Sequence, residues 1–206
     1  MTFDDVAIER LVDRAKGGDA AAFGALFDHF HRPVYRYIVS RVGRPADAED
    51  LTQLVFVKAL EALPRYESRG VPFSGWLFKL ARNAVIDFVR TSHESVDVDQ
   101  VVDRPADGDG PAEVAERREE LGAVAAALAA LTDEQRDAIA LRFFAGLSAR
   151  EAAVALGKQE GTVRGLQFRA LAALRRQLGL TDGRGDAPIV AFARVERAAR
   201  VRKREA

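Results

Sequence analysis

The sequence predicts an all-α protein of two helical domains joined by a flexible acidic linker, and three observations carry that prediction. Apolar residues recur at three- and four-residue spacing along both halves, with no sustained two-residue alternation between turn signals. Capping residues, prolines and glycines punctuate those runs at helical lengths. Between the halves, residues 94–113 (ESVDVDQVVDRPADGDGPAE) hold seven acids against Arg104 alone, together with Pro105, Gly108, Gly110 and Pro111 and no aromatic residue. Such a stretch cannot bury enough apolar surface to offset the entropy of ordering, so it reads as a linker. The organisation expected is a domain over 1–93, the linker over 94–113, a second domain over 114–180 and a basic tail over 181–206.

The first helix opens at Asp4 or Asp5, carries Val6, Ile8, Leu11 and Val12, and stops at Gly17-Gly18. Asp19 caps the next, which carries Phe23, Leu26, Phe27 and Phe30 until Pro33 interrupts it. Pro33 suits the first turn of a further helix running to Gly43. A longer helix follows from about Ala46 to Leu63, its apolar positions Leu51, Leu54, Val55, Leu60 and Leu63 mainly on one face, and ends at Pro64. A loop from Arg65 to Pro72 leads to a helix from Ser74 to about Thr91.

Beyond the linker a helix is expected from about Glu113 to Leu131. Thr132 with Gln135, and Ser148 with Glu151, are capping-box pairs, and Gly146 and Gly157 fall just past the helices those boxes start. The result is a short helix over 149–156, a tight turn and a longer helix from about Glu160 to Leu178: a helix-turn-helix. Ala153 is small where the two helices cross, Gly157 suits a turn needing positive φ, and Leu156, Val163 and Leu166 form the buried side. Any αα-corner shares that pattern. Lys158, Arg164, Arg169, Arg175 and Arg176, opposed only by Glu160, add the cationic face needed to lie along phosphates.

Composition excludes several classes. The 206 residues contain no cysteine, so disulfide scaffolds and cysteine-ligated metal sites are out. No apolar run reaches the roughly 18 residues of a membrane span. The opening MTFDDVAIER is acidic and amphipathic, unlike a secretory signal. The 31 basic and 31 acidic side chains cancel, which on its face argues against nucleic acid. By segment, however, the linker carries a net −6 against +1 in residues 1–93, +2 in 114–180 and +3 in the tail. Extended, those twenty linker residues reach about 66–72 Å, and as a coil roughly 25 Å, enough to separate two domains by about one DNA turn, roughly 34 Å.

The first half offers its own candidate surface. In SGWLFKLARNAVIDFVR, the residues Lys79, Arg82, Asn83, Ile86 and Arg90 form one stripe, while Leu77, Leu80, Ala81, Ala84 and Phe88 lie mostly elsewhere. Two readings fit: a solvated helix face, or cations for phosphate with Asn83 reading a base edge. Tyr66, Phe73 and Trp76 supply planar surfaces nearby, either as core or as platforms for unstacked bases.

These residues match a family. DAEDLTQ (Asp47–Gln53), the Phe73-Ser74-Gly75-Trp76-Leu77 helix entry and ARNAVID (Ala81–Asp87) resemble region 2 of bacterial sigma factors, which melts promoters. LTDEQRDAIALRFFAGLSAREAAVALG (Leu131–Gly157) followed by GTVRGLQFRALAALR (Gly161–Arg175) resembles region 4, the −35-reading helix-turn-helix. Nothing between them resembles region 3, a layout similar to the extracytoplasmic-function (ECF) group.

The resemblance implies residue roles and partners. Asp47, Glu49, Asp50, Gln53, Phe56 and Val57 match the segment that docks on the β′ coiled-coil of core RNA polymerase, and region 4 implies the β flap. The loop matching Tyr66–Pro72, with Tyr66, Ser68 and Arg69, captures a flipped −10 base, and Trp76, Lys79, Arg82, Asn83 and Arg90 handle the melted single strand. Holding extruded bases offsets a few kcal/mol per base. Lys158, Thr162, Arg164, Phe168 and Arg169 would face double-stranded −35 DNA. An anti-sigma factor is an implied partner. No cofactor, metal, membrane insertion or bond-making chemistry is expected, and the location implied is the cytoplasm, with the nucleoid when in holoenzyme.

The chain departs from the pattern at Leu54, where an acid is usual, at Lys158 and Gln159 in place of an apolar residue and a Ser cap, and at Leu166-Gln167-Phe168. In the family the inter-domain connector threads the polymerase cleft, so the acids of 94–113 are expected to mimic nascent RNA. The tail, with Arg194, Arg197, Arg200, Arg202, Lys203 and Arg204, matches nothing, and reads as either a frayed extension or a basic amphipathic helix. Rival readings are a dimeric helix-turn-helix repressor and an anti-sigma or other interaction module. An enzyme fits least, because His29, His31 and His93 show no carboxylate or metal spacing.

Overall fold

The computed structural model describes residues 5–68, 70–92, 122–124 and 126–179. Asp4, Arg69, His93, the linker 94–113 and the tail 181–206 lie outside the described residues, as does most of the helix expected from Glu113, of which 122–124 and 126–129 are helical. Among the described residues every regular element is helical: α1 Asp5–Lys16, α2 Ala20–Val42, α3 Pro45–Ala62, a 3₁₀ turn Leu63–Arg65, α4 Phe73–Ser92, α5 Asp133–Ile139, a π-helical turn Ala140–Phe144, α6 Ala149–Leu156 and α7 Glu160–Gln177. They fall into two compact units, one drawn from Met1–Asp99 and Asp137–Gly165, the other from Gln100–Arg136 and Leu166–Ala206.

In the first unit α2 is the central helix, packing on α1, α3, α4 and the π turn. Asp19 caps it as expected. Its Oδ1 accepts from the Ala22 N–H at 3.0 Å, while Arg14 reaches Oδ2 with Nη2 at 2.7 Å and Nε at 2.9 Å. The Ala22 bond and then the Arg14 guanidinium hold this carboxyl below its ordinary value. At the far end Gly43 takes φ 77° and its N–H donates to the Val39 carbonyl.

The break expected at Pro33 does not occur, since α2 runs unbroken through it. Proline removes one helix hydrogen bond and crowds the preceding turn. Here Leu26 and Phe30 before it and Val34, Tyr37 and Ile38 after it are all buried. That continuous apolar face outweighs a local defect.

α3 carries a second correction. The buried face is Ala48, Leu51, Thr52, Val55, Phe56, Ala59 and the following Leu63, not the face expected to contain Leu54 and Leu60. Leu54 and Leu60 point outward with Val57. The helix is apolar on more than one side, and only the position of α2 and α4 decides which side is covered. Thr52, fully buried, satisfies its hydroxyl by donating to the Ala48 carbonyl at 2.6 Å.

α5 starts from the predicted capping box, with Thr132 Oγ1 accepting from the Gln135 N–H and Gln135 Oε1 accepting from the Thr132 N–H. It then widens: the Ala145 N–H donates to the Ala140 carbonyl at 3.0 Å, five residues back, before Gly146 turns the chain at φ 77°. The Arg142 guanidinium donates to the Leu147 carbonyl and braces that turn. α6 has the second predicted box complete, with Ser148 Oγ accepting from the Glu151 N–H at 3.2 Å and the Ser148 N–H donating to Glu151 Oε2 at 2.7 Å. Gly157 ends it at φ 63°, and the Lys158 N–H closes back to the Ala153 carbonyl at 2.9 Å. In the second unit, Arg136 gathers the carbonyls of Leu128, Ala129 and Leu131 at 3.1–3.2 Å, satisfying the end of the preceding helical turn.

Candidate functional site

The segment expected to face a basic partner is the outer side of α3. Glu49, Asp50 and Gln53 are exposed, and Asp47 pairs with Arg44 at 2.5 Å. Val57, expected among them, is 54% exposed, with Leu54 and Leu60 beside it at three-residue steps. Acids from the first turns and this apolar ridge therefore share one helix. Phe56 does not belong to the surface: it is buried, its ring 4.7 Å from Phe27 and 6.4 Å from His31. The sequence groups Leu54 and Leu60 with Leu51 and Val55 on one apolar face, while Leu54 also stands out as a departure within the docking segment; both point outward.

The loop after α3 is organised by aromatic rings. Tyr66, Phe73 and Trp76 lie at centroid separations of 4.9–5.7 Å, and Phe30 packs on Phe73 at 5.5 Å. Tyr66 is buried and its hydroxyl donates across the loop to the Val71 carbonyl at 3.0 Å, while Trp76 is half-buried. Burial, with Glu9 second, pushes the Tyr66 phenol up. Tyr66 thus braces the loop as part of the ring cluster. Ser68 is exposed.

On α4 Lys79, Asn83, Ile86 and Arg90 of the stripe are exposed, and of the residues expected on other faces Leu77, Ala81 and Ala84 are buried while Leu80 and Phe88 are half-buried. Arg82 is the exception within the stripe. Its Nε donates to Asp137 Oδ2 at 2.7 Å. Asp137, only 2% exposed, also lies 2.9 Å from Arg41 Nε and accepts from the Tyr37 hydroxyl at 3.1 Å. Burial first, then the Asp137 charge, pushes the Tyr37 phenol well above its ordinary value. This buried cluster was not expected from the sequence. The one signal was spacing: Asp137 stands four residues before Leu141, which has no exposed surface, and so lies in the apolar phase of its helix.

On α7 the buried positions Val163, Leu166, Ala170 and Leu174 leave Gly161, Thr162, Arg164, Phe168 and Arg169 outward. Phe168 is 73% exposed, the most exposed of the large apolar side chains among the described residues. Arg164 Nη2 is held by Glu160 Oε1 at 2.5 Å, one turn back. Lys158 is half-buried in the turn before α7. The helix begins at Glu160, directly after the Lys158-Gln159 departure.

Among the described residues no group of three His, Cys, Asp or Glu is placed to hold a metal, and no helix is long and apolar enough to cross a membrane. His29 and His31 pack on Phe30 and Phe27 at 4.6 and 4.9 Å.

Comparison with known proteins bears on these surfaces. Sigma-70 region 2 matches residues 26–94, and Sigma-70, region 4 matches residues 127–176. The chain is 38% identical over 183 residues to the ECF RNA polymerase sigma factor BldN of Streptomyces coelicolor, covering 85% of this chain and 67% of the relative. It is 39% identical over 182 residues to the ECF RNA polymerase sigma factor ShbA of Streptomyces griseus, covering 84% and 95%. Among solved structures, the sigma factor RpoE in complex with the anti-sigma factor NepR from Bartonella quintana superposes with a TM-score of 0.61 at 25% identity, covering 78% of this chain and 98% of that one. The α3–α4 segment falls within the first match and the helix-turn-helix within the second, so the chain belongs to the ECF RNA polymerase sigma factors, which give core polymerase promoter-specific transcription initiation.

Proposed function

We propose that residues 1–93 dock on core polymerase and hold the melted −10 strand, that residues 114–180 read the −35 duplex, and that the two act as separate domains across the 94–113 linker. The observation that carries this reading is the outward face of α7. A capped helix-turn-helix places Thr162, Arg164, Phe168 and Arg169 on one exposed side of its second helix, where they serve no packing role. A helix with such a face enters a major groove, cations to phosphate and apolar edge to base methyl groups.

Core docking falls to the outer side of α3, with Asp47, Glu49, Asp50 and Gln53 toward a basic partner surface and Val57, joined by Leu54 and Leu60, covered on binding. The −10 strand falls to Ser68, Arg69, Trp76, Lys79, Arg82, Asn83 and Arg90, with Tyr66 bracing the loop. The protein supplies binding and strand separation and breaks no bond, working in the cytoplasm. Its linker acids stand in for nascent RNA phosphates. An anti-sigma factor is a partner, as NepR is for the similar RpoE structure.

Run-off transcription with core polymerase on genomic fragments tests the reading, beside gel shifts with and without core. Promoter binding and a discrete transcript are expected only with core present. A shift of equal strength without core, and no transcript, would point to a free-standing repressor instead.

A further inference from the structure

Glu160 opens α7 and is the only acid in that helix, EGTVRGLQFRALAALRRQ. Arg164 follows one turn later on the same side, and its Nη2 donates to Glu160 Oε1 at 2.5 Å. Arg164 is exposed and Glu160 partly so, and an exposed pair at this spacing adds little to stability. An acid in a first turn also suits the helix dipole. The contact has a more specific consequence. It draws the guanidinium back over the first turn of α7, the end of a recognition helix that meets base edges. Phe168 continues the same row another turn on, so the row carries no net charge. Arg169, exposed beside it, has Gly165, Leu166, Ala172 and Ala173 at the neighbouring helical positions, none of them charged.

We propose that Glu160 and Arg164 act as one unit that reads a single G·C base pair in the −35 duplex, with Glu160 as a specificity-determining residue. This rests on the promoter reading above. In the major groove a G·C pair presents the guanine N7 and O6 acceptors beside the cytosine N4 donor. Arg164 keeps donors enough for both guanine atoms after giving one to Glu160. Glu160 brings a second carboxylate oxygen for the N4 donor. An A·T pair in the same place offers the adenine N6 donor to the guanidinium and the thymine O4 acceptor to the carboxylate, so both groups meet the wrong partner. The carboxylate also repels phosphate oxygens. Neutral as a whole, the pair has little attraction for the DNA backbone, which falls to Arg169.

The test uses holoenzyme assembled from core polymerase and the full chain, bound to a promoter fragment that it transcribes. Each G·C pair of the −35 element is exchanged in turn for A·T, and each guanine for 7-deazaguanine, which lacks only the N7 acceptor. One G·C pair should stand out. Its exchange for A·T should weaken binding roughly five- to a hundredfold, the range for a two-donor base contact, and the 7-deaza base should weaken it severalfold. Arg164→Gln should abolish both effects at that pair alone. Glu160→Gln, whose amide can donate to thymine O4, should cut the G·C preference there to about threefold or less. It also releases Arg164 to phosphate, so log K should fall more steeply with log salt, by about one unit of slope. Arg169→Gln should flatten that slope by about the same amount and leave base preferences unchanged.

If Glu160 only stabilised its helix, Glu160→Gln would lower the melting temperature and weaken binding to every sequence alike, with the G·C preference intact, and the proposal would be overturned. An Arg164→Gln protein that flattens the salt dependence yet keeps every 7-deazaguanine effect would overturn it too, by placing Arg164 on phosphate. In both cases the unaltered holoenzyme still binds its promoter, so the promoter reading stands. Unaltered holoenzyme that binds no promoter fragment overturns that reading, and the proposal with it.

Discussion

Gly75→Ala separates a real α4–α6 contact from a coincidental one by the sign of its effect. On an exposed helix the change is stabilising, by up to about 1 kcal/mol, because alanine loses less backbone entropy than glycine. Here the added methyl would meet Val154 Cβ and Cγ1 at 2.8 Å and the Glu151 carbonyl at 3.2 Å, well inside ordinary contact, which begins at 3.4 Å. The Val154 atoms are the branch point of a stiff side chain, so the helices themselves must separate. Overpacking of this kind costs about 1–3 kcal/mol. Set against a helix gain of about 0.5 kcal/mol, the net is a loss of about 0.5–2.5 kcal/mol, or roughly 1–10 °C in melting temperature for a chain of this size. Circular dichroism melts of the unaltered and Gly75→Ala proteins read it, with hydrogen exchange over residues 149–156 reporting whether α6 has lifted. A melting temperature equal to or above that of the unaltered protein would refute the packing argument.

Ser148→Ala removes the acceptor for the Glu151 N–H and should lower stability by about 1 kcal/mol, read as a melting-temperature drop. The Glu151 carboxyl sits below its ordinary value because bonds from Ser148 and Ser74 outweigh the upward push of burial. Its stabilisation is therefore present above the usual carboxylate range and lost as pH falls through it, so Glu151→Gln should differ from the parent at pH 7 and converge with it in acid. The buried Tyr37 phenol is raised, so its contribution is complete below its ordinary value of 10.0 and lost as pH rises through the folded value. Tyr37→Phe should lose about 1 kcal/mol at neutral pH and show a flatter alkaline melting profile. Val57→Glu, at a 54% exposed position, should leave stability within about 0.5 kcal/mol yet weaken core-polymerase binding about tenfold or more in competition assays. Unchanged affinity would remove the α3 ridge from the docking surface.

Most of the fold was legible because its signals are local. Caps at Asp19, Thr132 and Ser148 and left-handed glycines at 43, 146 and 157 act through neighbours a few residues away, so the chain order alone announces them. The outward face of α7 was legible for the same reason, since Val163, Leu166 and Ala170 sit one helical repeat apart and consign Thr162 and Phe168 to solvent. The errors fell where periodicity admits two answers. α3 is apolar on two sides, and nothing in its own residues says that Phe56 turns inward while Leu54 and Leu60 turn out.

By itself the sequence determined the helical class, the capped helix starts at Asp19, Thr132 and Ser148, the helix-turn-helix and the family, all of which depend on short-range spacing or on motifs read in order. Only the tertiary structure decided that α2 passes through Pro33 unbroken, that Arg82 is held by a carboxylate 55 residues away, and that Asp137 is buried. Those outcomes depend on which surfaces meet. A buried acid or a mid-helix proline is a local penalty that becomes acceptable only once distant side chains complete its partners.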